Sequence, residues 1–136
     1  MKKQPDNRLS IFEGREIAFI PSKTMLLEEG KVADRLCFIR KGCLRLFFNN
    51  EGKDITFQFF FEGDFVASFD SLYKGTPSLF SLESIEPSEV LFIKKEDFYN
   101  KIEGNSSLRK LYEEKIIERF SFYQHLFLSR IKNTPQ

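Results

Sequence analysis

Residues 63–93 contain the residue types and spacing best suited to chemistry, since they have the layout of an anion-binding loop between two strands. Gly63 ends one strand, and a short amphipathic stretch from Phe69 to Tyr73 follows. Free backbone N–H groups at the start of such a turn attract an anion, and an arginine opposite them completes a bidentate clamp. No arginine is present in this stretch. It offers hydroxyl groups instead, from Ser68, Thr76, Ser78 and Ser81.

Lys74 is the only cation in the loop itself. A lone lysine on a loop usually extends its ammonium group into water. We therefore expect Lys74 to be solvated, with replacement of the missing arginine as the weaker alternative.

Other candidate catalytic or metal-binding residues carry little support. His125 is the only histidine, whereas a metal site needs several converging histidines or carboxylates. A Ser-His-Asp triad would need a supporting motif such as a nucleophile elbow.

Cys37 and Cys43 fit neither CxxC chemistry nor a disulfide framework, so we expect reduced, buried thiols. A redox role beside Arg40 and Lys41 is the alternative. We expect no enzyme activity, no metal site and no certain cofactor.

The length and net charge of the chain further limit the classes of function that it can have. The 136 residues are enough for one domain with its own core. The 21 basic and 20 acidic residues give a net charge of +1, which does not predict a nucleic-acid-binding surface. No stretch approaches the roughly 18 apolar residues of a spanning helix, and the N-terminus lacks the apolar segment of a secretory signal. We expect a cytoplasmic protein that does not bind a membrane.

Short strands separated by turns are predicted from residue 16 to residue 94. Glycines at 30, 42, 52, 63 and 75 lie 10 to 12 residues apart, a spacing typical of a β-sandwich or barrel-like roll. Alternation predicts one strand with Leu44, Leu46 and Phe48 on its buried face. A second strand has Ile55, Phe57, Phe59 and Phe61 on one face, and residues 49–53 between the two strands predict a hairpin turn.

Helices are predicted after Ile93. A short one begins at Lys95, and a longer one begins near Ser106 or Ser107, which would cap it, and runs to about Ile131. At roughly 37 Å, the longer helix exceeds what a roll of this size covers, so we expect an isologous homodimer along one helical face rather than mere packing on the roll. The predicted interface residues are Leu108, Tyr112, Ile116, Phe120, Tyr123, Phe127 and Ile131.

The chain thus divides into a polar N-terminal segment (1–15), a β-roll (16–94) and a C-terminal helical region (95–136). In the roll, Leu36 to Gly42 follows an L-x-x-I-x-x-G pattern, and Asn50 to Asp54 corresponds to the next hairpin. Glu62 to Val66 then leads into the segment that ends at residue 80. This ordered series resembles the cyclic nucleotide-binding domain of Crp/Fnr-type bacterial transcription regulators. In that family residues 63–80 correspond to the phosphate-binding segment, here called the cassette.

The resemblance implies a mainly β fold, a double-stranded β-helix or jelly roll, followed by a long C-terminal dimerisation helix. It also implies a non-catalytic, effector-sensing function. Cyclic AMP binders of the family place a Glu and an Arg where this chain has Ser68 and Ser78, so a less charged ligand, or none, fits better than a cyclic nucleotide. The ligand-binding residues implied by the resemblance are Phe65, Val66, Ala67, Ser68, Phe69, Thr76, Ser78 and Phe80.

The family continues into a helix-turn-helix domain that binds DNA, and that domain is absent from this sequence. The chain is therefore either a fragment of a regulator or a stand-alone sensor. The rival interpretation is a structural or protein-interaction module on the same fold, with its pocket filled by phenylalanines. The effector, the target genes and the sign of regulation do not follow from the sequence.

Overall fold

The computed structural model of the chain describes residues 11, 12 and 14–132. Of the predicted N-terminal segment, residues 1–10 and 13 lie outside this description, as do residues 133–136. Phe12–Phe98 forms one compact unit, and the residues from Tyr99 onward belong to a second. The strands are β1 (Ala18–Ile20), β2 (Met25–Leu27), β3 (Arg35–Lys41), β4 (Leu44–Asn50), β5 (Lys53–Phe60), β6 (Phe65–Val66), β7 (Ser81–Ser84) and β8 (Ser88–Lys94). The helices are α1 (Phe69–Lys74), α2 (Lys95–Glu103) and α3 (Ser106–Lys132).

The strands form two antiparallel sheets of four strands each. Sheet A has the order β1-β8-β3-β6, and sheet B has the order β2-β7-β4-β5. The first strands of the chain lie beside the last ones, since β1 pairs with β8 and β2 pairs with β7. This is the arrangement of a jelly roll. The predicted jelly-roll fold with a long C-terminal helix is therefore confirmed.

The core lies between the two sheets because each contributes alternate apolar side chains to its inner face. Sheet A provides residues from β3, β6 and β8, and sheet B provides residues from β4, β5 and β7. Together they form one buried cluster, which consists of Cys37, Ile39, Leu44, Leu46, Phe60, Val66, Leu82 and Val90.

The hairpin between β4 and β5 turns at Glu51 and Gly52, whose φ angles are 54° and 88°. Positive φ at both central positions is the geometry of the two-residue hairpin turn that matches strand twist. The predicted hairpin is confirmed, with Glu51 rather than an asparagine at the first of these positions.

The predicted buried face of β5 is correct at Phe57, which packs against the core, and wrong at Phe59 and Phe61. Phe59 is 46% exposed and Phe61 is 57% exposed, whereas Phe60 between them is only 1% exposed. The cause is a bulge: Leu46 pairs with Gln58 but Phe47 pairs with Thr56, so β5 carries an extra residue. An extra residue moves every later side chain to the opposite face of the strand.

Gly42 occupies the turn between β3 and β4 at a φ of 113°. A Cβ on this residue would lie 2.8 Å from the Cα of Ser88, which is closer than backbone atoms permit. The hydroxyl of Ser88 also accepts the N–H of Cys43 at 3.2 Å. Glycine is thus required here by both the backbone angle and the close approach of β8.

The predicted helices are confirmed, but the predicted cap of the long helix is wrong. Oδ1 of Asn105 accepts the N–H groups of Ser107 and Leu108, each at 3.1 Å, so Asn105 caps α3 in place of Ser106 or Ser107. Among the described residues, no helix is long and apolar enough to cross a membrane.

Candidate functional site

The cassette begins where β6 pairs with β3, with Val66 opposite Cys37 and Phe65 opposite Phe38. The chain then turns into α1, which buries Ser71 and Leu72. Gly75, in the left-handed conformation with a φ of 71°, ends this helix. The predicted amphipathic turn is therefore a short helix that packs one face on the roll.

Ser71 fixes the cassette to the loop before β3. Its hydroxyl oxygen accepts the N–H of Ala33 at 2.8 Å and its proton is donated to the carbonyl oxygen of Thr76 at 2.6 Å. Backbone bonds add to this attachment, since the N–H of Ser78 donates to the carbonyl of Lys31 at 2.8 Å. These bonds hold the cassette loop in place and use the single hydroxyl proton of Ser71.

Ser68 and Ser78 lie side by side, with 2.8 Å between their hydroxyl oxygens. Both are buried, at 6% and 3% exposure. Oγ of Ser78 also lies 2.7 Å from the carbonyl oxygen of Phe80 and accepts the N–H of that residue at 3.1 Å. The two hydroxyls therefore satisfy one another and the local backbone, and neither contributes charge.

Lys74 does not supply the missing positive charge. Its ammonium group lies 3.1 Å from the carboxylate of Asp70, one helical turn earlier, and both side chains are well exposed. This pairing on the outer face of α1 favours the interpretation of Lys74 as a solvated surface residue.

A cavity of about 30 Å³ lies beside the start of the cassette. Three of the predicted ligand-binding residues, Val66, Ala67 and Ser68, line it. Ligand pockets in proteins have volumes of roughly 300–1,000 Å³, so this cavity admits only a small group as it stands. The other residues that line it were not predicted from the sequence: Leu26, Leu27, Ala33, Asp34, Arg35, Cys37, Leu82 and Phe92.

The remaining predicted ligand-binding residues do not line the cavity. The Phe65 ring packs 5.4 Å from the ring of Phe38, and Phe80 packs 5.1 Å from Phe57. Phe69 is half-buried at the start of α1, and Thr76 is exposed, with its carbonyl bonded to Ser71. Ser78 reaches the site only through its bond to Ser68.

Among the described residues, Arg35 is the one cation that lines the cavity. Its Nη2 donates to the carbonyl oxygen of Leu26 at a long 3.3 Å, and its guanidinium carbon lies 3.8 Å from the centre of the Phe92 ring. No carboxylate of the described residues forms an ion pair with it. The sequence signal for this residue was an arginine at the start of the otherwise apolar run Leu36 to Ile39.

Both cysteines are free and buried, as predicted. Burial raises the pKa of the Cys37 thiol from 9.0 to about 12, against an opposing effect of the Arg35 charge. The pKa of Cys43 is raised as well, by burial first and then by Glu86 and Asp64. A redox-reactive cysteine needs a lowered pKa and access to solvent, so this geometry disfavours the redox alternative.

His125 is exposed on α3. Within the described part of the chain, no three histidine, cysteine or acidic side chains lie close enough together to hold a metal ion.

Comparison with known proteins identifies the domain. A sequence model of the family described as the cyclic nucleotide-binding domain matches residues 18–105, nearly two thirds of the chain. No curated protein sequence matches the chain.

Solved structures share its fold. The catabolite activator protein of Thermus thermophilus is 18% identical with a TM-score of 0.76, over 95% of this chain and 60% of that one. A transcriptional regulator from Thermotoga maritima is 14% identical with a TM-score of 0.78, over 96% of this chain and 100% of that one. The c-di-GMP-responsive global regulator CLP of Xanthomonas campestris is 16% identical with a TM-score of 0.72, over 89% and 61%.

The chain spans about three fifths of the Thermus and Xanthomonas proteins. The match over residues 18–105 includes the glycine series and the whole cassette. The chain therefore belongs to the cyclic nucleotide-binding domain family, which confirms the resemblance inferred from these residues.

Proposed function

We propose that this chain is the non-catalytic, effector-sensing domain of a Crp/Fnr-like transcription regulator, and that its effector is not a cyclic nucleotide. The observation that carries the proposal is the hydrogen-bonded pair of Ser68 and Ser78 in the cassette. These residues stand where cyclic AMP binders of the family have a glutamate and an arginine.

A cyclic phosphate carries a negative charge that must be compensated once it leaves water. The serine pair provides no positive charge, and Lys74 is paired with Asp70 on the surface. The neighbouring cavity of about 30 Å³ is also about tenfold smaller than an ordinary ligand pocket. The volume of the cavity argues for a smaller ligand than a nucleotide, and the serine pair of the cassette itself offers no charge for a cyclic phosphate.

Sensing is supported by what proteins of similar fold bind. CLP responds to c-di-GMP, and the EAL enzyme Bd1971, with TM-scores of 0.60 and 0.61 to this chain, has structures with bound cGMP and cAMP. The fold therefore accepts different effectors, and the cavity-lining residues of this chain define a chemistry of its own.

We further propose that the regulator is a cytoplasmic homodimer that binds DNA through a separate domain. Leu108 is buried within the single chain, so we assign the interface to the part of α3 from Ile117 onward. Large apolar side chains there are about half exposed or more, namely Ile117, Phe120, Phe122, Phe127, Leu128 and Ile131. Such a surface is typical of the buried centre of an interface.

A second candidate is a structural module without an effector. The small cavity and the mutually satisfied serines favour it, since neither leaves an obvious vacancy for a ligand. Packing of Phe80 on Phe57 also fills space beside the cassette.

The two candidates are separated by an NMR screen of the ¹⁵N-labelled domain against a library of small metabolites. Sensing predicts a ligand that shifts the amide signals of residues 66–68 saturably, and Ala67→Val, which fills the cavity, should abolish that binding. Lys74→Met, on the exposed face of the same cassette, should leave it unchanged. A library without any such ligand would support the structural module instead.

A further inference from the structure

The guanidinium group of Arg35 has more hydrogen-bonding capacity than the structure uses. An arginine presents five N–H donors, but the described residues provide one acceptor, the carbonyl of Leu26 at 3.3 Å. The ring of Phe92 holds the cation from one side at 3.8 Å. A half-buried guanidinium that no carboxylate of the described residues pairs with has N–H donors available for an anion.

The rest of the cavity restricts the kind of anion. Leu26, Leu27, Val66 and Leu82 make its walls largely apolar, so they cannot solvate further charged oxygens. Asp34, exposed at the rim, repels additional negative charge. A single guanidinium compensates one charge, which fits a monoanion with a short apolar body and not a phosphate dianion.

The element that must move to admit such a ligand is β2. It has only three residues, lies at the edge of sheet B, and has an irregular register between Met25 and Leu27. It also carries the Leu26 carbonyl that Arg35 now contacts. Exchange of this long bond for a bond to a ligand would free β2 to shift, since short irregular edge strands open easily.

We propose that Arg35 is the anion-binding residue of this domain and that the effector is a small monocarboxylate, whose carboxylate binds the guanidinium while its alkyl part lies among the leucines. This inference rests on the proposed sensing function and names its ligand class. Binding would be coupled to displacement of β2.

The test is an NMR titration of the ¹⁵N-labelled chain with sodium butyrate, which follows the Nε–Hε signal of Arg35 and the amides of residues 66–68. Saturable shifts of both are expected. In Arg35→Gln the affinity should fall about tenfold or more, because a charge-assisted pair is lost. The matched control is Arg40→Gln on the same strand, whose side chain is exposed and lies 3.7 Å from Glu89; its affinity should be unchanged.

Butan-1-ol and inorganic phosphate serve as controls for the ligand class. Equal shifts with butan-1-ol, saturation with phosphate alone, or full affinity of Arg35→Gln for butyrate would each overturn the proposal. So would the absence of saturable shifts with butyrate. If the metabolite screen then finds a neutral ligand at residues 66–68, the sensing function stands and only the carboxylate assignment falls; if it finds none, both fall.

Discussion

Two arginines of the roll lie over phenylalanine rings, and they differ in their hydrogen-bond and ion-pair partners. Arg45, on sheet B, lies 4.0 Å from the centre of the Phe47 ring. Its guanidinium lies 2.9 Å from Glu83 and 3.6 Å from Asp54, and it also donates to Thr56 at 3.0 Å. Arg35, at the cavity, contacts the Phe92 ring and donates one long hydrogen bond to the Leu26 carbonyl.

This difference distinguishes a charged side chain that stabilises the fold from one whose hydrogen-bond donors are available to a ligand. The partners of Arg45 come from β5 and β7, the two strands that flank its own, so its bonds tie three strands of sheet B together. Arg35 is also half-buried, but it makes no comparable set of ion pairs and hydrogen bonds to neighbouring strands. A half-buried charge without a carboxylate partner among the described residues is a candidate for function.

Replacement of Arg45 should have the largest effect. Arg45→Met keeps much of the side-chain stem but leaves Glu83, whose side chain is only 19% exposed, without its partner. We expect the free energy of unfolding to fall by about 2–3 kcal/mol, as for charged hydrogen bonds in partly buried sites. Arg35→Met should cost less than about 1 kcal/mol, since it loses one long hydrogen bond and one cation–π contact but leaves no carboxylate unpaired. Urea denaturation measures both, and equal losses would remove the distinction.

The serines of the cassette sharpen the same comparison. Ser71 bridges the N–H of Ala33 and the carbonyl of Thr76, so Ser71→Ala should leave the buried N–H of Ala33 unpaired and cost about 2 kcal/mol. Among the described residues the side chain of Ser68 bonds only to the hydroxyl of Ser78, which keeps its bonds to Phe80, so Ser68→Ala should cost about 0.5 kcal/mol or less. Thermal unfolding of the two variants compares them directly. If Ser68→Ala loses as much stability as Ser71→Ala, then Ser68 stabilises the fold and is not a position left available for ligand binding.

At neutral pH the smallest effect concerns Cys37, whose thiol lines the cavity close to Arg35. Burial raises its pKa from 9.0 to about 12 in the folded chain. The folded state therefore keeps a proton that the unfolded chain releases, so stability from this group is complete below about pH 9 and is lost as the pH rises toward 12. The slope should reach about 1.4 kcal/mol per pH unit in that range.

The pKa of Tyr112 is also raised by burial, and then by Tyr99, so it adds to the alkaline loss. Cys37→Ala isolates the cysteine, because only its own part of the slope should disappear. Urea denaturation across this pH range measures the slope, and an identical slope in the variant would contradict the assignment.

The sequence predicted the elements of the fold well because their signals are local. The glycine spacing, the hairpin at Gly52 and the helix from Lys95 each depend on the conformational preferences of a few adjacent residues. The buried face of β5 could not be predicted, since Phe59, Phe60 and Phe61 are all apolar and a bulge changes which of them faces inward. The capping asparagine was missed because two serines directly follow it.

The candidate site was only partly predictable for a different reason. Val66, Ala67 and Ser68 belong to a recognisable segment of the chain. Arg35, Leu26 and Phe92 reach the same cavity from three other strands, and their proximity results from tertiary pairing. Only the sheet order, with β8 beside β3, brings the Phe92 ring to the arginine.

The most direct test of the central claim is calorimetric titration of the purified chain with cyclic AMP and cyclic GMP, with an established cyclic AMP-binding domain as the positive control. The serine pair and the small cavity predict no saturable heat for either nucleotide. Saturable binding with a micromolar Kd would contradict the claim and would show that the cassette binds a cyclic phosphate without the glutamate and arginine.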